Sequence, residues 1–250
     1  MKTKINFLNI SIILLAIVSL GLVGCETRSI SNAGYQAGGY YSSGRNPLYH
    51  GELSEFDVLG TGRDQTISEE EIGKALDNAL QVQIKRGSSI LLVQSGAAFP
   101  DETMMQELRK SVSVTPFSGQ PQPTPKAEAE KTSYSKSIRM TAAKGGFQTI
   151  ICYWGILESA RDIEASKTVS WIPIVGWSIP DETQRMRIKL KFAVINVRTG
   201  NWSLFAPEPL EQKALSAIYT RAQSDQRQVD VLKKAAYEAA ARDLMKNLSN

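Results

Sequence analysis

Two short runs limit the fold of this 250-residue chain more than any other feature. Residues 90–93 (ILLV), within 88–96, and 149–154 (TIICYW) are apolar at consecutive rather than alternate positions. Successive side chains of a strand point to opposite faces, so strands of this kind must be covered on both. Amphipathic helical patterns surround them. Ser68 followed by Glu69, Glu70 and Glu71 makes a capping box, after which Ile72, Leu76, Ala79 and Leu80 form one apolar face and Gly87 ends the helix. A second helix opens at Pro100-Asp101 with Met104, Met105, Leu108 and Val112 inward, and a short strand is expected around 112–117. Another helix runs from Ser133 to Gly145-Gly146. In 186–197, Met186, Ile188, Leu190, Phe192 and Val194 alternate with Arg187, Lys189 and Lys191, until Ala193, Ile195 and Val197 make the second face apolar too. A turn at Thr199-Gly200-Asn201 returns 202–205 as a hairpin partner. A final helix over 226–248 carries Val229, Leu232, Ala236, Ala240, Leu244 and Leu248 on one stripe. This order predicts an α/β domain over 66–250: a single mixed sheet with helices packed on it, a long β-hairpin and a C-terminal helix.

Residues 1–25 read as a leader. Lys2 and Lys4 precede an apolar run over 10–23, interrupted by Ser11, Ser19 and Gly21, which ends in Leu22-Val23-Gly24-Cys25. The run is short and its flanks are those of a signal peptide. LVGC matches the bacterial lipobox, in which the cysteine is acylated before cleavage. Cys25 is therefore the expected lipidation site, and the leaflet is the first expected partner. In enterobacterial lipoproteins of this kind Asp after the cysteine retains the protein in the inner membrane. Glu26 implies the outer membrane, with the domain in the periplasm.

From 26 to 65 the composition changes. Gly34, Gly38, Gly39, Gly44, Gly51, Gly60 and Gly62 alternate with Ser, Asn, Tyr35, Tyr40, Tyr41 and Tyr49, and no strand or helix period survives. The reading is a tether with an end-to-end distance of roughly 35 Å. Either it is a spacer, or its tyrosines hold a partner or sugar. Leu53, Phe56, Val58 and Leu59 in 52–60 give that stretch enough apolar content to dock on the domain. The segment 121–131 (PQPTPKAEAEK) reads as a surface loop.

A lipobox, a tether, strands like 149–154, the phrase VINVRTGNW (194–202) and a closing helix together give a resemblance. The chain is similar to the periplasmic lipoproteins that share the fold of the TolB amino-terminal domain, a group that includes the curli-pore subunit and the activators of penicillin-binding proteins. The resemblance covers 66–250, and the group's members are scaffolds, pores and activators; the twelve residues of 169–180 are too few for two membrane strands, so no pore is expected.

Residue counts remove most catalytic chemistry. The chain has one histidine, His50, in the Gly/Tyr/Ser-rich stretch, and two cysteines, Cys25 and Cys152. A histidine-based triad or metal site would need histidine in the ordered part of the fold, where none is expected, and the cysteine count excludes a disulfide framework and a cysteine zinc site. Cys152, inside an apolar strand, reads as a buried hydrophobe. Ser133-x-x-Lys136 has the spacing of penicillin-binding enzymes, but Lys167-Thr168 lacks a following glycine and Ser224-Asp225 falls in the wrong order. It reads as a helix N-cap with a solvated lysine. No nucleotide or cofactor fingerprint occurs, so no cofactor and no metal are expected. The net charge of +4, or +2 without Lys2 and Lys4, is too weak to suggest nucleic acid.

The odd segment is 169–180 (VSWIPIVGWSIP), between two strands. Trp171, Ile172, Ile174, Trp177 and Ile179 stand where polar turn residues are the rule. Either the loop completes the core or it forms an apolar patch for a partner or a membrane surface. The expected function is that of a lipid-anchored periplasmic binding or scaffold protein contacting another envelope protein. The alternative is a cell-wall or peptide hydrolase.

Overall fold

The computed structural model describes residues 26–33, 46–61, 67–121, 133–163, 182–216 and 221–248. In chain order the strands are β1 (Glu26–Ser29), β2 (Ser89–Gln94), β3 (Ser113–Phe117), β4 (Thr149–Ile163), β5 (Glu182–Asn196), β6 (Trp202–Phe205) and β7 (Leu210–Ser216). The helices are α1 (Glu55–Leu59), α2 (Glu69–Asp77), α3 (Glu102–Arg109), α4 (Tyr134–Lys144) and α5 (Arg221–Leu248). The seven strands form one mixed sheet in the order β3-β2-β4-β5-β6, with β1 on β4 and β7 on β5. β2 runs parallel to β3 and β4, and every other pairing is antiparallel.

The consecutive apolar runs are covered on both faces, as their pattern requires. Ile90, Leu91, Leu92 and Val93 are at most 3% exposed. Ile90 and Leu92 point into the layer of α3 and α5, together with Ile151, Tyr153 and the inward set of β5 from Met186 to Val194. Leu91 and Val93 point the other way, with Ile150, Cys152, Ala193 and Ile195, under α1 and α4. The stripe expected on the C-terminal helix is buried at all six positions. α5 starts at Arg221, earlier than its sequence pattern indicates.

The long ladder joins β4 to β5, and each strand has 15 residues. β6 is the shorter hairpin partner, pairing with β5 only over 192–195. Since β5 occupies one edge of β4 throughout, β2 and β1 share the other edge in succession, at 149–153 and then at 156–159. β6 and β7 share the far edge of β5 in the same way. The sheet therefore has five strands at one end and four, β1-β4-β5-β7, at the other.

Much of the segment read as a tether is packed on the domain. Glu26 to Ser29 form β1 against β4, and Ile30, 1% exposed, enters the main core. Gly155 makes the room: a Cβ there would lie 2.6 Å from Ile30 Cδ1 and 2.7 Å from Leu190 Cδ2. Leu53 and Val58, 7% and 1% exposed, complete the opposite core layer. Docking of 52–60 is thus part of the fold. The reason is simple: β4 outruns β2, and its free edge and uncovered face are satisfied by the segment before α2.

α2 departs from expectation in the other direction. The capping box is present, with Ser68 Oγ accepting from Glu71 N and the Glu71 side chain accepting from Ser68 N. Bonds to its oxygen from Ser68 N and then Ser68 Oγ hold the Glu71 carboxyl below its usual range. Yet the helix ends at Asp77 rather than near Gly87, and Ile72 and Leu76 are 51% and 75% exposed. Only beyond it does the chain enter the core, through Val82 and Ile84. Leu76→Ala is accordingly expected to change unfolding free energy by less than about 0.5 kcal/mol in chemical denaturation. A loss of about 2 kcal/mol or more would show that the face is covered.

Candidate functional site

Beyond Cys152 the cover given by α1 and α4 runs out, while the strands continue. The next residues on that face of β4 are Trp154 and Ile156, which pair with Lys191 and Lys189 of β5. The result is an open cleft of about 720 Å³, floored by Trp154, Gly155, Ile156 and Leu190. One wall is the segment 206–209, Ala-Pro-Glu-Pro, between β6 and β7. Its prolines cannot donate to the β5 ladder, which explains why β6 and β7 are separate strands. The other wall comes from Thr27 to Ser29, Tyr49, Glu52 and Glu55.

Trp154 is held in place by its indole, whose Nε1 donates to Leu53 O at 2.8 Å. Ile156 is 39% exposed in the cleft, an apolar residue without cover. The cations above this floor are paired. Lys191 Nζ lies 2.6 Å from Glu55 Oε1, and Lys189 Nζ lies 2.7 Å from Glu158 Oε1. Arg187 Nε donates to Glu158 Oε2 at 2.7 Å. Bonds from Lys189 and then Arg187 hold the Glu158 carboxyl below its usual range. Glu52 differs from these. Its Oε1 accepts from Ser29 Oγ and, at 3.4 Å, from Tyr49 OH, while its Oε2 is buried without a partner among the described residues. Burial, then the Glu52 charge, raises the Tyr49 pKa, so Tyr49 stays a donor. The cleft thus offers an apolar floor and fixed ion pairs along its rim.

A second polar cluster fills the carboxyl end of β2, where open α/β sheets often place ligands. Tyr153 OH donates to Gln94 Oε1 and Tyr237 OH to Asp101 Oδ2, each at 2.5 Å. Lys233 Nζ lies 2.8 Å from the same Asp101 oxygen, and Gln94 Nε2 donates to Ser31 Oγ at 3.0 Å. Burial, followed by the Asp101 charge, pushes both tyrosine pKa values well up, so both hydroxyls remain donors. These bonds join the first segment, β2, β4, α3 and α5. They lock the fold together and leave no free nucleophile in the cluster.

The expected site residues fare differently. Cys25 and the apolar set Trp171, Ile172, Ile174, Trp177 and Ile179 lie outside the described residues. Cys152 is fully buried, and burial raises its thiol pKa well above normal. Ser133 is a helix N-cap, its Oγ accepting from Lys136 N at 3.4 Å. No group of three metal-ligating side chains occurs among the described residues. Sequence reading missed the cleft. Its one local signal was Trp154-Gly155-Ile156, where an apolar strand passes through a glycine and continues.

The model of the YafT bacterial lipoprotein family matches residues 54–247, and the chain belongs to that family. No curated protein matches it. Among solved structures, the hypothetical protein CT253 from Chlamydia trachomatis is 9% identical, with a TM-score of 0.27. That match covers 65% of this chain and 95% of the other, and at this score it carries no argument about fold or function. No helix among the described residues is long and apolar enough to cross a membrane.

Proposed function

We propose that this member of the YafT lipoprotein family is a non-enzymatic binding protein, held through Cys25 on the periplasmic face of the outer membrane. It takes a segment of another envelope protein into the cleft on β4 and β5. The observation that carries this reading is the open, apolar-floored cleft whose wall begins two residues after Cys25. Trp154, Gly155 and Ile156 give an extended segment a surface to lie on. The outer-membrane assignment rests on Glu26 after the cysteine. The strand, turn and return strand formed by VINVRTGNW support the scaffold-type reading implied by the resemblance to TolB amino-terminal domains.

The hydrolase alternative has less to stand on. Glu55 and Glu158 are tied to lysines, and Ser29 Oγ, which donates to Glu52 Oε1 in the cleft wall, is also engaged as a cap accepting from Ser31 N.

A photo-crosslinking residue at Ile156 tests the proposal in the intact lipoprotein. Irradiated envelopes are expected to give a discrete adduct whose mass identifies one envelope protein. The same probe at Leu204, 46% exposed on β6 outside the cleft, should give none. Adducts of equal yield at both positions, or none at Ile156, would reject the cleft as the binding site.

A further inference from the structure

The register of β1 fixes more than an edge of the sheet. Glu26 lies opposite Ser159 and Ser29 opposite Ile156, so β1 runs antiparallel to β4. Followed backwards from Glu26, the chain heads toward Ile163. Cys25 is one peptide unit away, about 3.8 Å between Cα atoms. A diacylglyceryl group on Cys25 Sγ therefore begins within a side chain's length of the four-stranded end of the sheet, with no spacer between them.

We infer that this end of the sheet rests on the leaflet that holds the acyl chains, so that the domain stands on it in one orientation. The inference rests on acylation of Cys25 as read above. Three further observations fit it. The β4–β5 ladder continues four residues past Ser159, to the pair Ile163 and Glu182, which is roughly 13 Å beyond the level of Glu26. The strand ends thus reach the depth of the headgroups. The connection between Ile163 and Glu182 leaves from and returns to this same end, and 168–180 within it has no charged residue and two tryptophans. Near this end Arg187 and Lys189, with side chains 44% and 40% exposed, share the single carboxylate of Glu158. Both side chains stay accessible to lipid phosphate.

The opposite end is then fixed as well. Met186 and Asn196 are ten residues apart on β5, a distance of about 34 Å along the strand. The turn at 197–199 and the end of α2, where the capping residue Asn78 accepts through its O from Asn201 Nδ2 at 3.4 Å, stand at that end, away from the leaflet. The cleft lies between the two ends, close to the membrane, so its partner segment must approach near the bilayer surface.

The test uses the acylated full-length lipoprotein in vesicles of phosphatidylethanolamine and phosphatidylglycerol. Cys152 is buried and Cys25 is acylated, so a single introduced cysteine can carry a fluorophore. One label goes at Glu211→Cys on β7, opposite Arg187, and another at Thr199→Cys in the turn. Lipids bearing a headgroup quencher are expected to quench the label at 211 several-fold more than the label at 199. Equal quenching, or stronger quenching at 199, in protein that floats with the vesicles would overturn the orientation while leaving the anchor intact. Protein that fails to float, with no acyl mass on Cys25, would overturn the anchor and the orientation together.

Discussion

A chain beginning at Thr66 is expected to melt many degrees below one beginning at Glu26, if it folds at all. The cut removes β1, and with it the only partner of β4 at 156–159 on that edge among the described residues. It also removes Ile30, Leu53 and Val58, which are 1%, 7% and 1% exposed. At about 1.5–3 kcal/mol for each buried aliphatic side chain, these three are comparable with the whole stability of an ordinary domain, about 5–15 kcal/mol. Polar groups lose partners too. Ser95 Oγ accepts from Leu53 N at 2.8 Å, and Ser31 Oγ donates to Ser95 O at 2.5 Å. Ile30→Ala in the complete chain isolates the largest single part. It should cost about 2–5 kcal/mol, because Gly155 holds open a space that nothing else fills. Thermal and chemical denaturation followed by circular dichroism measures both. Equal melting temperatures for the two chains would mean that the first segment sits on the domain without stabilising it.

What the sequence made legible follows from how many neighbours a residue needs in order to be understood. β2 and β4 were readable because consecutive apolar residues admit one environment, a strand between two layers. β5 was readable because its alternation changes character midway, at the point where α1 and α4 cover the second face. β1 was not. Glu26-Thr27-Arg28-Ser29 has no apolar pattern, and it is a strand only because β4 offers a free edge beyond β2. β7, Leu210 to Ser216, is likewise made a strand by its partner β5. α2 shows the converse. Its capping box and apolar stripe specify a helix from local chemistry, and local chemistry does not say whether anything covers the stripe. The cleft needs both kinds of knowledge. Trp154 and Ile156 look like more core, and Lys189 and Lys191 like a solvated face. That they meet Glu158 and Glu55, and lose their cover at one level of the sheet, depends on contacts across 31 and 136 residues of chain.

Cys25→Ser is expected to release the protein from the membrane fraction almost completely, or to leave it as an uncleaved precursor, while the domain keeps its stability. Each acyl chain contributes about 0.8 kcal/mol per buried methylene, and two or more chains on one residue make desorption negligible. Serine offers no thiol to the acylating step, so the whole of that energy is lost at once. Folding should not follow it, since Glu26 to Ser29 still pair with β4 and Ile30 still fills the space beside Gly155. The melting temperature of released variant should match that of detergent-extracted wild type. Metabolic labelling with a fatty acid decides the first half: label should enter the wild-type protein and not the variant. Label persisting in Cys25→Ser would place the acyl group elsewhere and remove the reason for setting β1 against the leaflet. A variant that loses its label but also unfolds would mean that the anchor, one residue from the sheet, takes part in holding the β1–β4 edge together.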